Sequence, residues 1–185
     1  MNNIIIVGNG PSILNRERGA VIDSHKVVAR INEFETKGYE KYTGVKQDVY
    51  FVGAITPIKH NYTLFNKVVV LTGITRLQSW EIKNSNEEIF PLEYYMVNYQ
   101  LIGAVSPLKS MSMGVAAIWY YWRHGIKVDI TGFDFYEGDI TADKLHYYKP
   151  HRPLADGWKI TNGHSPLLEK EWVDLQAKRG IINII

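Results

Sequence analysis

Within its first dozen residues the chain runs Ile4-Ile5-Ile6-Val7, breaks into Gly8-Asn9-Gly10, and continues as Pro11-Ser12. Four consecutive β-branched residues read as a buried strand. Two glycines one residue apart let the backbone turn where a Cβ would clash. Proline, with φ fixed and no N–H, suits the first turn of a helix, whose free N–H groups attract anions. Strand, glycine turn and helix start together open a nucleotide-binding βαβ unit, with a phosphate as the expected guest. The dinucleotide pattern G-x-G-x-x-G is half met, because Ile13 stands at its last glycine.

The rest of the chain continues the alternation. Strands are expected at residues 26–32, 47–52, 67–71, 95–99, 127–134 and 181–185, and helices at 12–22, 57–65, 76–83 and 112–124. In the last of these helices Val115, Ile118, Trp119 and Trp122 recur at helical spacing, and Gly125 supplies a stop. A final helix starts at Ser165 as N-cap and Pro166, places Leu168, Trp172 and Leu175 inward, and ends at Gly180. Residues 135–163 have no period and several glycines, which predicts a mobile lid that closes over a ligand and carries His146 with it. The pattern predicts a single-domain α/β sandwich over residues 1–185, with a mostly parallel central sheet flanked by helices. Asn32 then ends a strand beside the glycine turn, where open α/β sheets bind ligands.

Composition removes several classes. The 21 basic and 19 acidic residues are interspersed and give a formal charge of +2, so no nucleic-acid partner is expected. With no cysteine there is no disulfide framework, thiolate metal site or cysteine nucleophile, and a reducing compartment fits. No segment approaches the roughly 18 apolar residues of a membrane span, and no signal peptide is visible. The expected location is cytoplasmic, with peripheral contact at the inner membrane face compatible with it.

Four stretches, in order, resemble the motifs of the sialyltransferases of glycosyltransferase family 29. The large motif is similar to Val7-Gly8-Asn9-Gly10, Ile22-Asp23-Ser24-His25 and Val28-Ala29-Arg30-Ile31-Asn32. The small motif resembles Pro107, Ser112-Met113-Gly114 and Gly132-Phe133-Asp134. The third is similar to His146-Tyr147-Tyr148, and His164 with Glu169 resembles the very small H-x-x-x-x-E motif. The resemblance implies a modified Rossmann-like (GT-A variant) fold and an inverting transfer of sialic acid from CMP-sialic acid to a glycan or glycolipid hydroxyl. It implies no cofactor beyond the CMP-sugar co-substrate, and no metal. Gly8, Asn9, Gly10 and Asn32 would hold the phosphate and ribose side. Ser112, Met113 and Gly114 would receive the cytidine, with Met113 standing where the family has threonine. Tyr147 would join the nucleotide site. His164 would be the general base, His146 would contact the departing phosphate, and Glu169 would support the first turn of its helix or orient His164.

The chemistry is consistent with that set. Departure of CMP leaves one phosphate group, which N–H groups, amides and a cationic histidine can stabilise. A histidine titrates near neutral pH and suits deprotonation of a sugar hydroxyl. Asp134, Glu137, Asp139 and Asp143 are irregularly spaced and read as solvated acids. Three alternatives stand beside the sialyl reading: a CMP-Kdo transferase, a nicotinamide oxidoreductase with Glu33 on the ribose, and a non-catalytic nucleotide-sugar binder.

Overall fold

A computed structural model of the protein describes residues 2–53, 60–72, 85–91, 111–136, 145–149 and 164–185. Seven strands, β1 (Ile4–Val7), β2 (Val27–Ile31), β3 (Val49–Gly53), β4 (Lys67–Thr72), β5 (Glu87–Pro91), β6 (Val128–Thr131) and β7 (Ile182–Ile184), form one sheet in the order 5-4-3-2-1-6-7. Every pairing is parallel. The helices are α1 (Gly19–Asp23), α2 (Glu40–Thr43), α3 (Met113–Trp122) and α4 (Pro166–Lys178), with 3-10 turns at Pro11–Asn15 and Tyr62–Leu64.

Both faces of the sheet are covered, so its strands are apolar on both sides. One face, carrying Ile6, Ala29, Ile31, Val49, Phe51, Val69 and Ile130, packs on α3 and α4. The opposite face carries Ile5, Val7 and Val28 under Ile13, Ile22, Tyr147 and Tyr148, and then Tyr50, Val52, Val68 and Val70 under Phe34, Tyr62 and Phe65.

Helix α3 buries Val115 through Tyr121 without a break, so it is a core helix rather than the one-faced helix its spacing predicts. In α4 the buried stripe is Glu169, Trp172, Val173 and Gln176, while Leu175 is exposed. Gln176 lies inward because its Oε1 accepts from Trp122 Nε1 at 3.2 Å. Polar partners across the α3–α4 contact set the rotation that hydropathy alone misjudges.

Three further expectations differ. The helix expected over residues 12–22 is split into the Pro11–Asn15 turn and α1. Strand β5 and helix α2 have no counterpart in the sequence reading, and of the helix expected over 57–65 the described part is the three-residue turn at Tyr62–Leu64. The helix expected at 76–83 and the strand at 95–99 lie outside the described residues.

Strand order places the site. From β1 the chain lays β2 to β5 successively on one side, then returns to set β6 and β7 on the other. The switch point therefore falls between β1 and β6, and parallel sheets bind ligands in the crevice beyond their carboxyl ends at such a point.

Candidate active site

The carboxyl ends of β1 and β6 are clasped together. Gly8 N–H donates to Thr131 O at 2.8 Å and Gly10 N–H to Gly132 O at 2.9 Å. A Cβ at Gly8 would meet the Gly132 carbonyl, and one at Gly10 would lie 2.5 Å from the Asp134 carboxyl carbon. Both positions need glycine, because the end of β6 passes against them. The two N–H groups expected to cradle a phosphate are engaged by β6. The Asp134 carboxylate likewise accepts from Ser12 N–H at 2.9 Å and from the Ser12 hydroxyl, so the anion position at the start of the 3-10 turn holds a carboxylate of the protein itself.

Asn9 continues the clasp towards β2. Its Nδ2 donates to Ile31 O and to Glu33 O, both at 2.9 Å, which consumes both amide hydrogens and leaves the Oδ1 acceptor for a ligand. Asn32, at φ +48°, takes the left-handed conformation that short amide side chains tolerate. Its Oδ1 accepts from Gly53 N–H at 3.2 Å, joining the ends of β2 and β3.

Residues 145–149 are docked against this edge. Tyr147 N–H donates to Asn9 O at 3.1 Å, its hydroxyl donates to Glu35 O at 2.5 Å, and the Tyr148 hydroxyl donates to Glu33 O. Leu145, Tyr147 and Tyr148 are buried. Five residues of the expected lid are thus docked on this edge, and His146 sits at the glycine turn. Of the rest of that segment, 137–144 and 150–163 lie outside the described residues, as therefore do Glu137, Asp139 and Asp143. The His146 ring stacks on Tyr148 at 5.3 Å and 5°, and its Nδ1 is buried with no partner among the described residues. Burial pushes this imidazole below its ordinary value, while the Glu33 charge and a hydrogen bond with the Asn9 main chain oppose the shift. Burial also raises the Tyr147 phenol to about 12.

The second wall is formed where α3 and α4 begin. The Ser112 hydroxyl accepts from Val115 N–H at 3.4 Å, and Ser112 N–H donates to Glu169 Oε1 at 2.7 Å. Glu169 is 1% exposed. It lies in the first turn of its own helix, as expected, and reaches across to the start of α3, where a carboxylate satisfies an otherwise unpaired N–H and opposes the positive helix end. The Cβ side of Gly114 is filled by the Phe133 ring, to which a Cβ would come within 2.6 Å. That contact brings α3 against the end of β6. Met113 packs beside it at the edge of the core. His164 is half-buried two residues before Pro166, on the wall that Glu169 fixes. Ser165 stands at the N-cap position, but its side chain makes no cap hydrogen bond.

Asn9, Asn32, His146 and Tyr147 thus share one cluster, and Ser112, Gly114 and Glu169 a second, joined through Gly8, Gly132 and Phe133. The sequence reading missed Phe133 as the filler between them. It also missed the strained turn after it, where Phe135 and Tyr136 both have positive φ, at +48° and +55°. Bulky aromatic residues rarely adopt that region, and no sequence pattern announces it.

The sequence model of glycosyltransferase family 29 (sialyltransferase) matches residues 1–85, which include the glycine turn and Asn32. A sialyltransferase-like protein of Arabidopsis thaliana is 28% identical over 183 residues, 97% of this chain and 35% of its own length. The chain is thus similar to glycosyltransferase family 29 over its first 85 residues. Two crystal structures of a mammalian sialyltransferase share the fold of this chain. One has TM-score 0.69 at 20% identity, the other, in complex with Gal-β-1,3-GalNAc-ortho-nitrophenol, 0.65 at 19%; each match covers 98% of this chain and 68% of that one. A β-1,6-galactosyltransferase of Arabidopsis thaliana is 37% identical over 49 residues, 26% of this chain and 12% of the relative. The chain thus spans about a third or less of the length of these two plant relatives. Among its described residues no helix is long and apolar enough to cross a membrane.

Proposed function

We propose that residues 1–185 act as one catalytic domain that transfers sialic acid from CMP-sialic acid to a glycan or glycolipid hydroxyl, with inversion and without a metal. The observation that supports this reading is that Asn9 lies at the β1–β6 switch point with His146 against its main chain and Asn32 at the neighbouring end of β2, while Glu169 ties the starts of α3 and α4 together. Asn9 Oδ1 would accept from a ribose hydroxyl, since its amide hydrogens are taken. His146 would donate to the phosphate, and the residues around Ser112 and Gly114 would receive the base. His164 would remove the acceptor proton as the acceptor oxygen attacks the anomeric carbon and the bond to CMP breaks with its electron pair on phosphate. A cytoplasmic enzyme with peripheral membrane contact fits this picture.

A second reading is favoured by the named galactosyltransferase among the relatives: the same site would then take a UDP-hexose. A donor panel decides between them. With CMP-sialic acid, CMP-Kdo and UDP-galactose offered separately in EDTA, we expect nucleotide release from CMP-sialic acid to exceed that from either other donor. Turnover confined to UDP-galactose would overturn the sialyl reading.

A further inference from the structure

The room that the glycine turn leaves is filled from inside the protein. In a nucleotide-binding turn of this kind, glycine lets the backbone approach a pyrophosphate closely. Here a Cβ at Gly10 would lie 2.5 Å from the Asp134 carboxyl carbon and 2.6 and 2.8 Å from its two oxygens, so the carboxylate faces the glycine across the space a ligand would need. The donors of the turn are spent in the same way. The N–H groups of Gly8, Gly10 and Ile13 go to Thr131 O, Gly132 O and Gly10 O, and Pro11 has none. Ser12 gives both its N–H, at 2.9 Å, and its hydroxyl to Asp134. Of these acceptors Asp134 alone is charged. The chain bends on both sides of it, with Gly132 at φ +71° and Phe135 and Tyr136 at +48° and +55°. Strained backbone of this kind persists where its surroundings hold it, and the Ser12 bonds to Asp134 and the Phe133 ring against Gly114 are such contacts. The start of α3 is closed likewise, with Glu169 on Ser112 N–H.

We propose that Asp134 is a specificity-determining residue that limits the site to nucleotides carrying a single phosphate. Its carboxylate stands where the second phosphate of a nucleoside diphosphate would seek donors at the turn. That phosphate meets a like charge, N–H groups already engaged and a filled volume. A single phosphate is left to the side chains at the β1–β6 edge, His146 among them. The base and sugar of the donor rest on the transferase reading above, whereas the count of phosphates rests on Asp134 and Ser12. The same residue therefore bears on the choice between a CMP-linked donor, with one phosphate, and a UDP-linked donor, with two.

The test compares CMP with CDP, and UMP with UDP, by calorimetry in EDTA on the wild type, Asp134→Ala and Asp134→Asn, with inorganic pyrophosphate as a probe that has no base. Alanine removes both charge and volume and releases the two Ser12 donors. Asparagine keeps the volume and an acceptor for Ser12 but not the charge. The wild type should bind CMP about tenfold or more tightly than CDP, and in Asp134→Ala that preference should fall about tenfold, the scale of one charge-assisted hydrogen bond gained by the second phosphate. Asp134→Asn should fall between the two, and Asp134→Ala should gain pyrophosphate binding that the wild type lacks. Urea midpoints show that the variants are folded, and if alanine does not fold, asparagine decides alone. A preference unchanged within about twofold in the folded variants, or a wild type that takes CDP as tightly as CMP, overturns the proposal. A wild type that binds neither cytidine nucleotide would instead sink the donor reading. The preference is then read from UMP and UDP, and the gain or absence of pyrophosphate binding in Asp134→Ala still decides the role of Asp134.

Discussion

Replacement of Glu169 by alanine tests whether the second wall of the site is held as described. The carboxylate is 1% exposed and accepts from Ser112 N–H at 2.7 Å, so truncation leaves a buried donor without its charged acceptor. A hydrogen bond of this kind contributes about 1.5–3 kcal/mol. The favourable placement of a carboxylate at helix starts adds about 0.3–1 kcal/mol at each of α3 and α4. Allowing for partial relaxation, Glu169→Ala should cost about 3 kcal/mol, the upper end of ordinary single substitutions. For a chain of this size that corresponds to a fall in Tm of roughly 6–12 °C. Glu169→Gln keeps an acceptor oxygen and the side-chain volume, and should cost about 1 kcal/mol through loss of charge. Urea unfolding at pH 7 measures both. CMP binding should weaken in parallel in the alanine variant, because Ser112 loses its anchor. A loss below about 0.5 kcal/mol for Glu169→Ala, the scale of a surface change, would refute the bridge between α3 and α4.

Gly8→Ala should fold poorly or not at all, because its Cβ meets the Gly132 main chain; Gly10→Ala should be milder, because it meets the movable Asp134 side chain, and solubility and urea midpoints report the order. Burial holds His146 below its ordinary value, so between its native midpoint and about pH 6.5 the unfolded chain binds a proton that the native ring does not. Stability should therefore rise with pH across that window and level off above it, and the difference in urea midpoints between wild type and His146→Gln should isolate this contribution. His164→Ala should lower turnover on the order of a hundredfold or more with little change in CMP affinity, as single-turnover kinetics and calorimetry would show. Asn9→Asp should weaken both stability and CMP binding, because a carboxylate would face the Ile31 and Glu33 carbonyls that now receive two N–H bonds.

The architecture was largely legible because strands buried on both faces announce themselves as β-branched runs: β1, β2, β4 and β6 stand close to where the pattern puts them. Strand β5 was not, since Glu87 and Glu88 interrupt its apolar character. Lys67 and Tyr120 receive the Glu88 carboxylate, a neighbour that only the folded sheet supplies. Helix positions were readable, but rotation in α4 was not, because Glu169 and Gln176 are buried by partners on α3. At the site, Gly8 and Gly10 were recognisable as points of close approach. The identity of what approaches, the end of β6, depends on a pairing between residues more than a hundred positions apart. Asn9 and Asn32 show the same limit: local preference allows a left-handed turn at either amide, and it is the fold that puts that conformation at Asn32 and spends the Asn9 amide on β2.

The central claim, a cytidine-nucleotide site at the β1–β6 edge, is tested most directly by calorimetry of the wild-type protein with CMP, UMP, AMP and NAD, each with and without EDTA. The account predicts binding of CMP in preference to the others, unchanged by chelation and weakened in His146→Ala. Tight binding of NAD or UMP with no response to CMP would contradict it.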